Sequence, residues 1–285
     1  MSKIAIVTDS TSDLPKEEVE KYNITVVPLT VAFGSEETYV DDGKDITAKQ
    51  FYDKLKTAKK LPTSAQPTPA DFMETYKKLF DEGYDSIISI HISEKMSGTL
   101  ASARGAKKQM EGKDIEIIDS LNVHMPCGII VIKAAQMAQE GKSKEDIVEM
   151  VLQMRDKVKT LFIPKTLEFL QKGGRIGKAK GLVASLLEIK PILTIESGEI
   201  SQFKTTRRWN QAKKELINSL KEMINQPEKA TIIVSDSDNK EEGDQLEETI
   251  KQEFSPKQTI RAEIGVIVGT HVGPGAIAAV FIEED

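Results

Sequence analysis

The chain has 285 residues, of which 39% are hydrophobic and 29% charged, a composition typical of a globular protein that buries a sizeable core. Its 45 acidic and 39 basic residues give a formal net charge of −6, which argues against bulk binding of nucleic acid. The single cysteine excludes an internal disulfide, and no apolar run approaches the roughly 20 residues of a membrane helix. The opening residues lack the pattern of a secretory signal, so we expect a cytoplasmic protein.

The first half of the chain alternates β-rich runs with helical segments. Such alternation requires crossover connections and predicts a mainly parallel sheet with flanking helices. Strands are predicted at residues 3–8, 24–31, 86–91 and 115–119, and a helix begins near Pro15. Further helices are predicted at residues 47–56, 69–80, 98–110, 128–139 and 144–157.

The second half has a different pattern, which predicts an α+β domain. Two β-rich runs, 190–195 and 200–205, flank the polar residues 196–199 and indicate a hairpin. Helices 211–224 and 241–253 and strands 230–235 and 260–268 complete it. We therefore predict an α/β N-terminal domain, residues 1–160, and an α+β C-terminal domain, residues 161–285.

Several common cofactor motifs are absent from the sequence. Residues 173–178 have the wrong glycine spacing for a phosphate loop, and residues 273–278 leave no room for a dinucleotide-binding unit. The three histidines are widely separated and lack the spacing of a metal site. No G-x-S-x-G elbow is present. We therefore expect no metal and no cofactor.

Three polar segments are suited to an anionic ligand. A predicted strand leads into a hydroxyl-rich turn around Ser97 and then a helix, where free N–H groups favour an anion. Prolines in residues 61–69 fix an extended segment with small hydroxyls. The apolar run 264–268, predicted as a strand, leads to His271 in a glycine-rich segment. The alternatives are a helix N-cap at Ser97, an ordinary loop, and a structural histidine.

Five motifs occur in one order along the chain and together resemble the DegV family of bacterial fatty-acid-binding proteins. They are TDSTSDL at 8–14, the segment 64–69, Ser-Gly-Thr at 97–99, Lys-Gly-Gly-Arg-Ile at 172–176, and the glycine-rich segment 269–276. The resemblance implies a two-domain fold that holds one long-chain fatty acid between the domains. It also implies a lipid-carrying subunit that presents the acyl carboxylate to a separate, ATP-using fatty acid kinase subunit and has no catalytic activity of its own.

The resemblance also implies site residues. The carboxylate-binding positions of the family fall on Ser64, Ser97 and His271. Many members have a second hydroxyl where this chain has Ala65. The resemblance places possible head-group or partner contacts at Asp42 and Arg207, and the local cluster of basic residues adds Arg175 as a third.

Two other function classes remain open at this stage. One is a small serine-dependent hydrolase or acyltransferase that uses Ser97 and His271, and the other is a sugar or nucleotide-binding module. The absence of a nucleophile elbow disfavours the first, and the absence of a phosphate loop disfavours the second. A basic cluster, residues 172–180, is either a partner-facing surface or an ordinary solvated face.

Overall fold

The computed structural model describes residues 3–185 and 189–284. The chain forms two compact units, the first from residues 1–47 and 62–156 and the second from residues 48–61 and 157–285. Residues 48–61 carry a helix that belongs to the second unit although they precede residue 160. The predicted fold class is confirmed: the first unit has a parallel sheet with helices, and the second has a mixed sheet with helices.

A four-stranded parallel sheet forms the centre of the first unit. Its strands are β1 (Ile4–Asp9), β2 (Thr25–Val27), β6 (Ser86–His91) and β7 (Ile115–Asp119), and its helices are α1 (Lys16–Tyr22), α3 (Pro69–Asp81), α4 (Thr99–Lys108), α5 (Met125–Gln139) and α6 (Lys144–Lys157). Strands β1 and β6 are buried along their whole length, as expected for a parallel sheet with both faces covered. The strands of this sheet lie in the order β2-β1-β6-β7. The chain leads from β1 to β2 on one side and then crosses to β6 on the other side of β1. The carboxyl ends of β1 and β6 therefore form the switch point where open α/β sheets bind ligands.

The predicted strand over residues 24–31 is wrong, because two strands in different sheets replace it. Pro28 lacks the N–H that a continuing ladder requires, and the chain leaves the parallel sheet after β2. Strand β3 (Thr30–Phe33) then joins an antiparallel sheet with β4 (Glu37–Val40) and β5 (Thr63–Ala65), in the order β4-β3-β5. Strand β5 thereby gives residues 63–65 the extended conformation that the flanking prolines predict.

The second unit contains a six-stranded mixed sheet in the order β10-β9-β8-β13-β11-β12. Its strands are β8 (Lys159–Ile163), β9 (Lys190–Glu196), β10 (Glu199–Thr206), β11 (Ala230–Asp236), β12 (Gln258–Glu263) and β13 (Ile277–Glu283), and its helices are α2 (Ala48–Thr57), α7 (Glu168–Lys172), α8 (Trp209–Met223), α9 (Lys240–Phe254) and α10 (Val266–Val272). The predicted hairpin is confirmed, since β9 and β10 pair antiparallel. Aliphatic side chains of α8 and α9 pack with those of β11 and β13 in one buried core.

The prediction of a strand over the apolar run 264–268 is wrong, because helix α10 begins at Val266. Helix α2 packs closely on α10. The Tyr52 hydroxyl donates to the Ile264 carbonyl over 2.8 Å, and a Cβ on Gly269 would collide with the rings of Phe51 and Tyr52. The glycine therefore permits this close helix packing, and His271 lies in the last turn of α10.

Candidate functional site

The turn between β6 and α4 carries Ser97. Ser97 is half-buried, and its Oγ lies 2.9 Å from the Thr99 hydroxyl and accepts from the Thr99 N–H over 3.3 Å. Gly98, and not Ser97, occupies the N-cap position of α4, although the Ser97 hydroxyl accepts the first N–H of that helix. The structure thus places the Ser97 hydroxyl just before the helix start.

The segment of Ser64 lies beside this turn within the first unit. Ser64 pairs with Val31 in the antiparallel sheet, and the chain then reaches Gln66. The Gln66 amide lies so close to Gly98 that a Cβ there would collide with it, and its Nε2 donates to Ser102 Oγ over 3.1 Å. The two hydroxyl-bearing segments that the sequence singles out, 61–69 and 93–99, are therefore neighbours.

In the second unit, His271 lies against the glycines of the 172–176 motif. A Cβ on Gly173 would lie 2.5 Å from His271 Nδ1, so only glycine permits this approach. Burial, and to a lesser extent the Arg175 guanidinium, lowers the pKa of His271 to about 4. The imidazole is therefore neutral at physiological pH, with one N–H donor and one acceptor nitrogen.

The turn after α10 is fixed by Ser237, which sequence reasoning did not identify. Ser237 Oγ donates to the Gly273 carbonyl over 2.7 Å and accepts from the Ala276 N–H over 2.8 Å. The Ser237 carbonyl accepts from the Gly275 N–H, and the Asn239 amide donates to the Gly275 carbonyl over 3.0 Å. These bonds set the path of the chain directly after His271.

The three residues assigned as possible head-group or partner contacts are all exposed. Asp42 Oδ1 accepts from the N–H groups of Lys44 and Asp45, both over 2.9 Å, and these bonds lower its pKa. The Arg175 guanidinium donates to the Gly173 carbonyl over 2.8 Å, which holds this group near the glycines of the 172–176 motif. Arg207 follows β10, and its backbone N–H donates to the Gln211 side chain.

The other two histidines pair with aspartates of the 8–14 motif. His91 Nδ1 lies 2.9 Å from Asp9 Oδ2, and His124 Nδ1 lies 2.6 Å from Asp13 Oδ2. All four side chains are buried almost completely. Sequence reasoning missed both pairs. Two Asp residues in one short motif directly after a predicted strand are nevertheless a signal, because a carboxylate that becomes buried needs a buried partner.

A third carboxyl group, that of Asp41, lies near the same motif. Burial and, to a lesser extent, the neighbouring Asp13 carboxylate raise the pKa of Asp41 to about 7, against the opposing effect of a hydrogen bond from Ser10. Part of this carboxyl group is therefore protonated at neutral pH. Over residues 3–185 and 189–284, no three His, Cys, Asp or Glu side chains are grouped so that they could hold a metal ion, and no helix is long and apolar enough to cross a membrane.

Comparison with known proteins identifies the family. Residues 3–284 match the DegV family, described as a family of uncharacterised proteins. DegV domain-containing proteins of Caldanaerobacter subterraneus subsp. tengcongensis and Clostridium perfringens are 36% and 37% identical over 285 and 287 residues, which is 100% of both chains in each case.

Solved structures agree with this match over the whole chain. A DegV family protein from Thermus thermophilus, described as binding fatty acid, has a TM-score of 0.90 and 29% identity and covers 99% of this chain and 100% of its own. DegV from Bacillus subtilis, described as a fatty-acid-binding protein, has a TM-score of 0.90 and 31% identity over 100% of both chains. The chain therefore belongs to the DegV family.

Proposed function

We propose that this chain is a cytoplasmic carrier that binds one long-chain fatty acid and presents its carboxylate to an ATP-using kinase subunit, with no catalytic activity of its own. The observation that supports the proposal most strongly is the full-length likeness to two solved DegV proteins that are described as binding fatty acid. The hydroxyl-bearing turn and the neutral imidazole supply donors that suit a carboxylate.

The aliphatic tail supplies most of the binding free energy. A tail of about 15 methylene groups offers on the order of 12 kcal/mol when fully buried, at roughly 0.8 kcal/mol per group. Ordering and immobilising the fatty acid costs several kcal/mol, which reduces this gain. The remainder is enough for tight binding even when the head group meets only neutral donors.

Ser64, Ser97 and His271 bind the carboxylate. The two serine hydroxyls each donate one hydrogen bond, and the imidazole donates one more from its protonated nitrogen. Because the pKa of His271 is about 4, this donor is uncharged at neutral pH. A carboxylate held by neutral groups is not locked into a buried ion pair, which suits a carrier whose cargo must react with a second protein.

The alternative of a serine hydrolase has less support. An Asp–His–Ser series does occur in the structure, but its members Asp9, His91 and Ser89 are fully buried, and a nucleophile must reach its substrate. Incubation of the pure protein with generic ester substrates separates the two functions. Turnover that disappears in the Ser97→Ala variant would contradict the carrier proposal.

The first prediction is that the protein purifies with about one fatty acid per chain. A bound ligand at 100 times its Kd stabilises the native state by about 2.7 kcal/mol, so removal of lipid should lower Tm by several degrees. Native mass spectrometry before and after delipidation measures the stoichiometry, and readdition of palmitate should restore both mass and Tm. The methyl ester of palmitate is the control, since it keeps the tail and loses the charged head.

Two results would contradict this prediction. If the untreated protein has the mass of the bare chain, and palmitate changes neither mass nor Tm, the chain does not bind fatty acid. If palmitate and its methyl ester bind equally, the tail is bound but the assigned head-group residues do not recognise the carboxylate.

Arg175 and Arg207 contact an acidic surface of the kinase subunit. Two lysines of the basic cluster 172–180 form ion pairs with carboxylates of this chain. Lys172 Nζ lies 2.6 Å from Glu168 Oε1, and Lys178 Nζ lies 3.6 Å from Glu199 Oε1. Arg175 and Arg207 are exposed residues, and a guanidinium group can form bidentate contacts to carboxylates that lysine cannot form.

The second prediction concerns the association rate. Replacing Arg175 and Arg207 by alanine should slow association with the kinase subunit about tenfold at low salt, with little change in fatty-acid affinity, because rim charges act mainly on the on-rate. Surface-plasmon kinetics across ionic strengths measures this. The Lys172→Ala, Lys178→Ala double variant is a matched control with the same change of net charge. Equal on-rates for the two double variants would show that the contact lies elsewhere.

A further inference from the structure

The two central strands of the parallel sheet end on a shared buried carboxylate. Asp9, the last residue of β1, accepts at Oδ2 from His91 Nδ1 over 2.9 Å and from the Ile92 N–H over 3.1 Å. Its Oδ1 accepts from the Thr11 N–H over 3.1 Å and from the Thr11 hydroxyl over 2.5 Å. One carboxylate therefore holds the starts of both loops at the switch point, residues 10–13 and 92–98.

His91 continues this arrangement into the interior. Its Nε2 lies 2.6 Å from Ser89 Oγ, and Ser89 Oγ lies 2.8 Å from the Tyr76 hydroxyl. Burial raises the pKa of Tyr76, so its hydroxyl is protonated. Because the Asp9 carboxylate only accepts, His91 Nδ1 donates to Asp9, and Ser89 and Tyr76 extend the series behind His91.

None of these groups is placed to react with a substrate. Ser89, His91 and Asp9 have 0% exposure, and each polar atom of the series is engaged. A network of buried, fully satisfied polar groups rigidifies its surroundings and specifies one conformation. The series therefore fixes the conformation of the neighbouring loops and takes no part in a chemical step.

The geometry that it controls includes Ser97. The Ile92 N–H is held by Asp9, the Ser93 N–H donates to the Asn122 carbonyl over 2.9 Å, and the Ser93 carbonyl accepts from the N–H of Ser97 over 3.1 Å. Each bond fixes the residue that leads to the next. The position of the Ser97 hydroxyl thus depends on where Asp9 holds residue 92.

We propose that Asp9 is a positioning residue that acts through His91 and Ile92 to hold the 92–98 turn in the conformation that places the Ser97 hydroxyl for a ligand carboxylate. This inference rests on the proposed function for the ligand and on the contacts above for the turn. The negative charge of Asp9 matters as well as its shape. Four donors converge on its carboxylate, whereas an asparagine amide at this position would accept hydrogen bonds only at its single oxygen.

The test compares Asp9→Asn with Asp13→Asn. Asp13 is a matched control, since it lies in the same motif and is also paired with a buried histidine, His124. In Asp9→Asn the amides of residues 92–97 should exchange hydrogen about tenfold faster or more, because two bonds to a charged acceptor are lost at the start of the turn. The affinity of this variant for palmitate should also fall. Asp13→Asn should change neither.

A second pair of variants separates positioning from packing. His91→Asn places an amide nitrogen near the former Nδ1 and keeps the donor to Asp9, whereas His91→Gln reaches toward Ser89 and loses that donor. Both variants lose the edge contact of the ring with Phe72, whose centroid is 5.0 Å away. His91→Asn should therefore retain slow exchange at residues 92–97 and near-normal palmitate binding, and His91→Gln should not.

The measurements are hydrogen exchange by mass spectrometry on delipidated protein and palmitate binding by calorimetry. If residues 92–97 exchange in Asp9→Asn as they do in Asp13→Asn, or if the two His91 variants behave alike, Asp9 does not position the turn. Faster exchange with unchanged palmitate affinity would also overturn the proposal. Failure of the wild-type protein to bind palmitate would instead refute the proposed function, and the exchange data would still decide whether Asp9 holds the turn.

Discussion

Replacing Ser97 or His271 by alanine should slow acyl phosphate formation about 100-fold, because phosphoryl transfer requires the carboxylate oxygen in a defined position and misplacement is costly in rate. Fatty-acid binding should weaken but persist. The loss of one hydrogen bond to a charged group costs about 1.5–3 kcal/mol, whereas the tail contributes on the order of 12 kcal/mol. The rate should therefore be measured with each variant saturated with fatty acid.

A matched control for Ser97→Ala is Ser143→Ala. The Ser143 hydroxyl also accepts a backbone N–H at a helix start, from Asp146 over 3.1 Å, but it lies outside the candidate site. Its loss should lower stability slightly and leave transfer unchanged. His271→Gln retains a neutral donor and should recover part of the activity. Unchanged transfer in both alanine variants, with folding confirmed by circular dichroism, would remove Ser97 and His271 from the site.

Much of the fold follows from local sequence patterns. The predicted strands 86–91 and 115–119 and the helix 144–157 agree with β6, β7 and α6 to the residue, since hydrophobic spacing and caps define them locally. The run 264–268 is the clearest failure. A short apolar segment is consistent with a buried strand or a buried helix, and here the close approach of α2 at Gly269 accompanies the helix. That contact joins segments more than 200 positions apart.

The sequence predicts only part of the candidate site. Hydroxyl-rich and glycine-rich segments point to Ser64, Ser97 and His271, and the structure places the segments of the first two side by side. The buried pairs Asp9–His91 and Asp13–His124 escape prediction, because their partners are 82 and 111 positions apart. No spacing rule connects such residues; for the first pair, the neighbouring positions of β1 and β6 in the sheet bring the two residues together.

Gly273→Ala should destabilise the protein by about 2–4 kcal/mol and lower Tm by roughly 5–10 °C. Gly273 has φ 74° and ψ 174°, a conformation that is essentially restricted to glycine. A Cβ at this position would also run into the ring of Phe169. Because the Gly273 carbonyl accepts from Ser237, the turn cannot shift without breaking that bond, and the strain should pass to His271.

The backbone and ring contributions to this loss can be separated. Gly112 also has a φ of 74°, and a Cβ added there would have nothing within 4 Å, so Gly112→Ala carries the cost of a positive φ without a side-chain clash, about 1–2 kcal/mol. Thermal unfolding of both variants measures the difference. The Gly273→Ala, Phe169→Ala double variant should be less destabilised than the sum of the single variants, since the ring clash is then absent. Equal Tm losses for Gly273→Ala and Gly112→Ala would show that the Phe169 ring yields freely and that the turn after α10 does not hold His271 rigidly.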